Sequence, residues 1–313
     1  LSLPLPSSAV SGILTQGGTI LGTSNKEDPF AYRRKIDGKE VVTDVSDRCM
    51  GFYHQLELDA LICLGGDGTL TIAGKLAEKG ANIVGVPKTI DRDLMETDTT
   101  FGFDTARTLA TEAIDRLHTT ADAHHRVMLV EVMGRNAGWL ALEAGIAGGG
   151  DIILLPEIPY DIEEISAAVA RRNKGGKRFS IIVVAEGAKA KGGEQTYQKS
   201  VLSQVRLGGC AQLLAQQIEE STGVECRVAV LGHLQRGGTP TPYDRLLATQ
   251  FGVQALELVV NREFNAMVAI KGGEITAVPI QRIMGKQRLV PLNSPLIKVA
   301  AAVGTSFGAK LPV

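Results

Sequence analysis

The sequence lacks the features that mark several classes of protein. No apolar run reaches the length of a transmembrane helix, and the start, Leu1–Pro6, has none of the basic residues that open a signal peptide. The net charge of −1 argues against a nucleic acid or a membrane surface as a partner. The four cysteines have no metal-ligand spacing, and this usage fits a reducing compartment. We therefore predict a cytoplasmic protein with no nucleic-acid and no membrane partner.

The composition is that of a globular protein with substantial cores. Apolar residues make up 44% and charged residues 21% of the 313 residues, a length that suffices for one large or two ordinary domains. Aromatic residues are scarce at 4%, whereas glycine is frequent at 36 residues. So many glycines indicate tight turns or backbone that approaches a ligand closely.

Short, continuously apolar runs alternate with helical patterns along the chain. Such runs are typical of parallel strands buried on both faces, so the pattern predicts an α/β fold with ligands at the carboxyl ends of the strands. Strands are predicted over Asp59–Leu64, Asn82–Val86, Arg126–Val132, Asp151–Leu155, Phe179–Ala185 and Arg227–Leu231. Helices are predicted over Asp104–Ala121, Asp161–Arg172 and Gly208–Thr222, and loose polar segments over Ser24–Lys39 and Ala188–Ser200.

The segment Gly65–Thr69, with the sequence GGDGT, follows the first predicted strand. Glycines allow backbone N–H groups to close on phosphate oxygens, and the start of the following helix attracts the same anions. Asp67 can hold Mg²⁺ against those phosphates. A plain turn in which Asp67 caps the helix would contain the same residues, and so short a motif does not separate the two interpretations.

Two carboxylates follow the second predicted strand, in Pro87–Asp93 (PKTIDRD). Asp91 and Asp93 can divide the work of phosphoryl transfer, since one can accept the proton of an attacking hydroxyl while the other orients that hydroxyl or a metal. The alternative is an Asp-rich surface turn. This alternative is less favoured because the glycine loop is predicted at the end of the neighbouring strand.

Arg135 and Glu186 each follow a further predicted strand. Arg135 can stabilise negative charge on a moving phosphoryl group, and Met133 before it fits either the core or a pocket wall. Glu186 can accept hydrogen bonds from a sugar hydroxyl, or it can be an ordinary charge at a helix N-terminus.

The last motif places Arg227, His233 and Arg236 around the end of one predicted strand. Arginine binds phosphate with two parallel hydrogen bonds, and histidine can contact a phosphate or a hydroxyl. A lone histidine is more often structural, but one that stands between two arginines favours an anion site. The trio therefore predicts a sugar-phosphate site.

In this order, the segments GGDGT, PKTIDRD, EVMGRNAG, AEG and VLGHLQRGG together resemble the 6-phosphofructokinase family. The resemblance implies transfer of the ATP γ-phosphoryl group to the 1-hydroxyl of fructose 6-phosphate, which gives fructose 1,6-bisphosphate in glycolysis. It also implies two Rossmann-like, three-layer α/β/α domains with mainly parallel sheets and a cleft between them. Residues 1–102 with 235–285 would bind the donor, and residues 103–234 with 286–313 would bind the sugar phosphate.

The family's roles carry over by resemblance to the matching positions. Asp91 is the general base, assisted by Thr89 and Asp93, and Arg135 stabilises the transition state. The sugar phosphate is bound by Met133, Gly134, Glu186, His233 and Arg236. The donor is bound by Gly66, Asp67, Gly68, Thr69 and Lys88, with Asp67 linked to Mg²⁺.

A homo-oligomer is a further implication of the resemblance. Arg126 and Arg227 match two arginines that reach the sugar phosphate of a neighbouring subunit. We therefore expect a homodimer or homotetramer with shared active sites.

Two residues bear on the phosphoryl donor. In this family, glycine at the position of Gly68 accompanies ATP, because an aspartate there would fill and charge the space of the ATP α-phosphate. Lysine at the position of Lys88 is more usual in pyrophosphate-dependent members. We predict ATP as the donor and keep two alternatives, a pyrophosphate-dependent phosphofructokinase and a non-catalytic subunit that only binds sugar phosphate.

The chain departs from the family pattern at several points. The first strand and glycine loop of the family are absent, so the sequence is expected to begin inside the donor domain. Asn25 stands where many members have arginine, and Lys26 could replace that phosphate contact. Arg92 stands where the family has asparagine, and its charge is expected to lower the pKa of Asp91.

Overall fold

The computed structural model describes residues 3–24, 27–36, 38–198 and 206–310. The chain divides into two compact units. The first unit consists of Leu1–Thr89, Asp93–Gly102 and Gly238–Gln287, and the second unit consists of Ile90–Arg92, Phe103–Gly237 and Arg288–Val313.

Helices and strands alternate through most of the described chain. The α-helices are α1 Ser7–Val10, α2 Ser46–Gln55, α3 Asp67–Glu78, α4 Phe103–His124, α5 Trp139–Ala147, α6 Ile162–Lys174, α7 Cys210–Thr222, α8 Pro242–Val260 and α9 Pro295–Ala302. The strands are β1 Tyr32–Ile36, β2 Lys39–Thr43, β3 Leu61–Gly65, β4 Ile83–Thr89, β5 Phe101–Gly102, β6 Val127–Val132, β7 Ile152–Leu154, β8 Ser180–Ala185, β9 Tyr197–Gln198, β10 Arg206–Leu207, β11 Cys226–Val230, β12 Ala266–Lys271 and β13 Glu274–Pro279. Short 3₁₀ turns lie at Ile13–Thr15, Gly232–Arg236 and Ile280–Arg282.

The second unit is built on a parallel sheet with the strand order β11-β6-β8-β7. Successive residues of each strand point to opposite faces. Val130 and Val183 belong to a core with α4, α5 and α9, whereas Leu129 and Ile182 belong to a core with α6 and α7. Both faces are therefore covered, which explains why these strands are mostly apolar.

The first unit has a mixed sheet with the strand order β13-β12-β4-β3, and β5 also pairs with β4. The pairs β3–β4, β4–β5 and β4–β12 are parallel, whereas β12–β13 is antiparallel. Ile83 packs in a core with α2 and α3, and its neighbour Val84 packs in a core with α8. Each unit thus has helices on both faces of its sheet, and the predicted α/β class with mainly parallel sheets is confirmed.

The unit boundaries differ from the predicted ones in two places that matter for the site. Ile90–Arg92 groups with the second unit, because Ile90 packs against its core and Arg92 pairs with Glu143 of α5. Gln235–Gly237 also groups with the second unit, since the Gln235 side chain accepts a hydrogen bond from the backbone of Met133.

Each predicted strand and helix has a counterpart within a few residues. Asp161 caps α6 by accepting a hydrogen bond from the backbone N–H of Glu163. The loose segment predicted over Ser24–Lys39 was wrong in its second half, where β1 pairs in antiparallel register with β2. This hairpin is exposed along most of its length, so it leaves no apolar alternation in the sequence. Among the described residues, no helix combines the length and apolar character that a membrane span requires.

Candidate active site

The glycine loop of the first unit joins β3 to the start of α3. A Cβ on Gly65 would lie 2.4 Å from the Cβ of Thr69, so only glycine allows the chain to turn this tightly. Gly66 is the N-cap of α3, and a Cβ there would lie 3.4 Å from the Cβ of Thr89 at the end of β4. The first N–H groups of α3 have no partner within the helix, which makes this turn suited to an anion.

Gly68 and Thr69 lie in the first turn of α3 and are exposed. Within the described part of the chain, no heavy atom lies within 4 Å of the position that a Cβ on Gly68 would take. The fold itself therefore tolerates a side chain here, and the space beyond Gly68 is open to a ligand.

Asp67 is the first residue of α3, and its carboxylate accepts a hydrogen bond from the Thr71 hydroxyl at 3.4 Å. Burial raises the pKa of Asp67, and the Thr71 hydrogen bond partly opposes that rise. A half-buried carboxylate at a phosphate loop fits Mg²⁺, a cation that takes one or two carboxylates and completes its shell with phosphate oxygens and water. Among the described residues, no group of three or more His, Cys, Asp or Glu could hold a metal without such help.

The end of β4 carries the next predicted residues of the first unit. Lys88 is exposed, and the carbonyl of Thr89 accepts a hydrogen bond from the Thr100 hydroxyl at 2.7 Å. Asp93 is only 8% exposed, and its carboxylate accepts a hydrogen bond from the side chain of Gln287 at 3.2 Å. Asp93 is thus held in a fixed position, which suits an orienting role.

In the second unit, the turn after β6 carries Met133, Gly134 and Arg135. Gly134 has a φ of +140°, and its carbonyl accepts a hydrogen bond from the backbone N–H of Gly187. A Cβ on Gly187 would lie 1.9 Å from the carbonyl oxygen of Arg135. Glycine at Gly134 and Gly187 therefore allows the ends of β6 and β8 to lie against each other, and Arg135 is left exposed.

The Glu186 carboxyl group is influenced by several predicted residues of the second unit. Burial raises its pKa, and the nearby charges of Asp91 and Glu131 raise it further. A hydrogen bond from the backbone of Gly134 and the positive charge of Arg236 lower it. The base candidate, the turn after β6 and one arginine of the phosphate motif are therefore close enough to act on a single carboxyl group.

His233 and Arg236 lie in the 3₁₀ turn that follows β11, and both are exposed. The sequence analysis gave no role to the residue between them, Gln235, which is only 2% exposed. Its side-chain N–H donates to the carbonyl of Gly232 at 3.2 Å, and its oxygen accepts from the N–H of Met133 at 3.3 Å. Gln235 thus joins the two turns that carry the residues predicted to bind the sugar phosphate. The only signal in the sequence was its place beside Arg236 in the motif, since its burial is visible only in the structure.

A second residue that the sequence analysis missed is Gln195. Its side-chain N–H donates to the carbonyl of Arg135 at 2.7 Å and to that of Gly187 at 3.2 Å. Gln195 lies in a segment that was predicted to be loose, where sequence pattern carries no signal for such contacts.

The prediction that Arg227 shares a strand end with His233 and Arg236 was wrong. Arg227 is the second residue of β11, at its amino end, whereas His233 follows the carboxyl end. A strand rises about 3.3 Å per residue, so these two ends lie about 13 Å apart. Arg227 instead pairs with Glu225, which also accepts from Arg126 at 2.6 Å. Arg126 and Arg227 therefore form their own cluster at the opposite edge of the sheet.

The structure thus forms two groups of predicted residues, each within one unit. The first unit contains the residues predicted to bind the donor, Gly66 to Thr69 and Lys88, together with Thr89 and Asp93. The second unit contains the residues predicted to bind the sugar phosphate, together with Asp91 and Arg135. Asn25 and Lys26 lie outside the described residues.

Comparisons with known proteins point to one family. The family model for phosphofructokinase matches residues 2–259. ATP-dependent 6-phosphofructokinase 2 of Clostridium perfringens is 52% identical over 304 residues, which cover 96% of this chain and 83% of that protein. The ATP-dependent 6-phosphofructokinase of Spirochaeta thermophila is 51% identical, with 95% of this chain and 82% of that protein covered.

Solved structures give the same answer. The phosphofructokinase of Saccharomyces cerevisiae matches with a TM-score of 0.70 and 32% identity, over 89% of this chain. The match spans 38% of the length of that yeast chain. With its two α/β units and with motifs at the strand ends, this chain belongs to the phosphofructokinase family.

Proposed function

We propose that this chain is an ATP-dependent 6-phosphofructokinase, which transfers the γ-phosphoryl group of ATP to the 1-hydroxyl of fructose 6-phosphate. The observation that carries the proposal is that the charges of Asp91 and Arg236, both in the second unit, act on the Glu186 carboxyl group. It gives one unit a base, a cation and a hydroxyl acceptor within electrostatic reach of each other. The names of the relatives at about half identity support the same substrates.

Asp91 acts as the general base in this proposal. Its carboxylate accepts the proton of the sugar 1-hydroxyl while that oxygen forms a bond to the γ-phosphorus, and the bond from phosphorus to the β–γ bridging oxygen breaks to release ADP. Arg135 neutralises the negative charge of the phosphoryl group as it moves. Thr89 and Asp93 orient the reacting groups.

The sugar phosphate is held by the residues at the carboxyl ends of β6, β8 and β11. Glu186 accepts hydrogen bonds from sugar hydroxyls, and His233 and Arg236 bind the 6-phosphate. Met133 and Gly134 form the wall against which the sugar lies. The hydrogen bonds that Gln235 and Gln195 make to the turn after β6 support the assignment of these residues to one sugar-phosphate site.

The donor is held by the glycine loop in the first unit. Gly66, Gly68 and Thr69 offer backbone N–H groups to the phosphates, and Asp67 would hold Mg²⁺ with Lys88 nearby as a second cation. Bound Mg²⁺ supplies charge neutralisation of the phosphates. The open space beyond Gly68 favours ATP over pyrophosphate, because it leaves room for the α-phosphate. The exposed Lys88 favours the second candidate, a pyrophosphate-dependent enzyme.

The cluster of Arg126 and Arg227 supports an oligomer. These arginines lie at the sheet edge opposite to His233, so they cannot share one sugar phosphate with it in the same chain. We assign them to the 6-phosphate bound by a partner subunit, in a homodimer or homotetramer. The proposed compartment is the cytoplasm.

A donor comparison tests the proposal. Purified protein should convert fructose 6-phosphate to fructose 1,6-bisphosphate with ATP and Mg²⁺, and its kcat/KM with pyrophosphate should be at least about a hundredfold lower. A preference for pyrophosphate would assign the second candidate function. Binding of fructose 6-phosphate without turnover on either donor would assign the non-catalytic subunit.

A further inference from the structure

The side chain of Arg92, next to the proposed base, contacts three residues of the second unit. Its guanidinium pairs with Glu143 of α5. It also lies over two aromatic rings, 5.3 Å from the centre of Phe103 and 5.2 Å from that of Trp139. Only 20% of the Arg92 side chain and 11% of the Glu143 side chain are exposed, so this is an ion pair with little screening by water.

The backbone at Arg92 shows that this anchoring holds the chain in an unusual shape. Arg92 has a φ of +53°, a left-handed conformation that costs a non-glycine residue about 1 kcal/mol or more. Such a conformation persists when surrounding contacts hold it in place. The contacts around this residue include the ion pair of Arg92 with Glu143 and its positions over the rings of Phe103 and Trp139.

Around Arg92, only a short segment of the chain belongs to the second unit. Thr89 and Asp93 group with the first unit, and Ile90–Arg92 between them groups with the second. Asp91 therefore belongs to the unit that carries Glu186 and Arg236, and its neighbour Arg92 makes a polar contact with α5 of the same unit.

We propose that Arg92 is a positioning residue, which fixes the base Asp91 in the sugar-binding unit through its ion pair with Glu143 and its contacts with Phe103 and Trp139. This inference rests on the proposed function. It replaces the expectation that Arg92 acts through its charge on Asp91, because Glu143 neutralises that charge. The geometry of Asp91, rather than its proton affinity, is then what depends on Arg92.

The chain offers a matched control in Arg107. Its guanidinium pairs with the same Glu143 at 2.6 Å and lies 5.8 Å from the centre of the same Phe103 ring. It also pairs with Asp104. Arg107 lies on α4, however, and is not next to the base. Removal of either arginine takes one partner from Glu143, and only removal of Arg92 frees the backbone beside Asp91.

The test compares Arg92→Met with Arg107→Met, since methionine keeps an unbranched side chain and removes the guanidinium that pairs with Glu143 and lies over the rings. Misplacement of a catalytic group by about 1 Å costs about a hundredfold in rate. We expect Arg92→Met to lower kcat by about tenfold to a hundredfold, with the KM for fructose 6-phosphate within about threefold of wild type. Both variants should lower the thermal midpoint by similar amounts, because each removes one partner of Glu143. Arg107→Met should nevertheless leave kcat within about twofold of the wild-type value.

Two further measurements separate positioning from charge and from loss of folding. The acid limb of the kcat–pH profile should stay in place in Arg92→Met, because the role of Arg92 is geometric. Arg92→Lys, whose ammonium group can still reach Glu143, should have most of the wild-type kcat. This comparison can be made whether or not Arg92→Met folds.

Several outcomes would overturn the inference. These are an unchanged kcat in Arg92→Met, equal losses of kcat in the two methionine variants, a displaced acid limb, or no recovery in Arg92→Lys. Absence of turnover in the wild-type protein would instead overturn the proposed function, and this inference with it.

Discussion

The buried amide of Gln235 allows a quantitative test of how the sugar site is held together. Replacement by leucine keeps the approximate volume and removes both hydrogen bonds, one from the N–H of Met133 and one to the carbonyl of Gly232. Each such bond contributes about 1 kcal/mol, and a buried group left without a partner costs about 1–3 kcal/mol. We therefore expect Gln235→Leu to destabilise the second unit by about 2–4 kcal/mol.

Part of that energy should appear as weaker binding of the sugar phosphate. The two turns that Gln235 joins carry Met133 and His233, both assigned to the sugar. A loss of about 1.4 kcal/mol in their arrangement corresponds to a factor of about ten in affinity. Steady-state kinetics should therefore show a KM for fructose 6-phosphate raised about tenfold, with the KM for ATP unchanged within about twofold.

A control variant guards against a general effect of losing an amide. Gln216 lies exposed on α7, and its side chain bonds to Glu220 on the same helix. Gln216→Leu should leave the thermal midpoint and both KM values at wild-type levels. If Gln235→Leu melts earlier yet keeps the wild-type KM for fructose 6-phosphate, the assignment of the joined turns to the sugar is refuted.

Two further predictions concern the donor and the pH dependence of stability. Gly68→Asp should reduce turnover with ATP by more than about a hundredfold while pyrophosphate turnover survives, because the added carboxylate fills the space of the α-phosphate; an unchanged ATP rate would contradict this use of the loop, and an unchanged thermal midpoint would show that the variant folds. Glu157 accepts hydrogen bonds from the backbone of Gly138 and Val290, and burial raises its pKa. A carboxyl whose pKa is raised on folding contributes stability that is lost as the pH rises through the folded-state pKa. The midpoint of Glu157→Gln relative to wild type should therefore be higher at pH 8 than at pH 5, and equal differences at both pH values would contradict the burial argument.

The central strands β4, β6 and β8 were predictable because they are buried on both faces, whereas β12 and β13 of the first unit were not predicted. Every residue from Ile181 to Ala185 is completely buried, and a continuous apolar run is the sequence pattern that such burial demands. Helix α8 was harder to recognise. Leu247 and Phe251 are buried, but Leu246 and Val253 on the same helix are 68% and 56% exposed, so no apolar stripe stands out.

The candidate site was predictable as far as it depends on strand ends. The glycine loop, Asp91, Arg135, Glu186 and His233 were named because each follows an apolar run, whereas Thr89 was named only from the family resemblance. Arg227 was grouped with His233 and Arg236 because they share a motif, although the predicted strand already began at Arg227 and ended before His233.

Contacts between distant side chains could not be predicted from the sequence. Arg92 and Glu143 are 51 positions apart, much farther than the residues of any single motif. Their pairing depends on how α5 packs. The hydrogen bonds of Gln195 depend on the path of a polar loop. The apolar pattern of the sequence predicts neither the Arg92–Glu143 pair nor the hydrogen bonds of Gln195.

Replacement of the proposed base is the most direct test of the central claim. In Asp91→Ser, kcat should fall by about a hundredfold to ten-thousandfold, because the proton of the 1-hydroxyl loses its acceptor. The dissociation constant for fructose 6-phosphate, measured by calorimetry, should stay within about threefold of wild type. A kcat within tenfold of wild type, with sugar binding intact, would contradict the account.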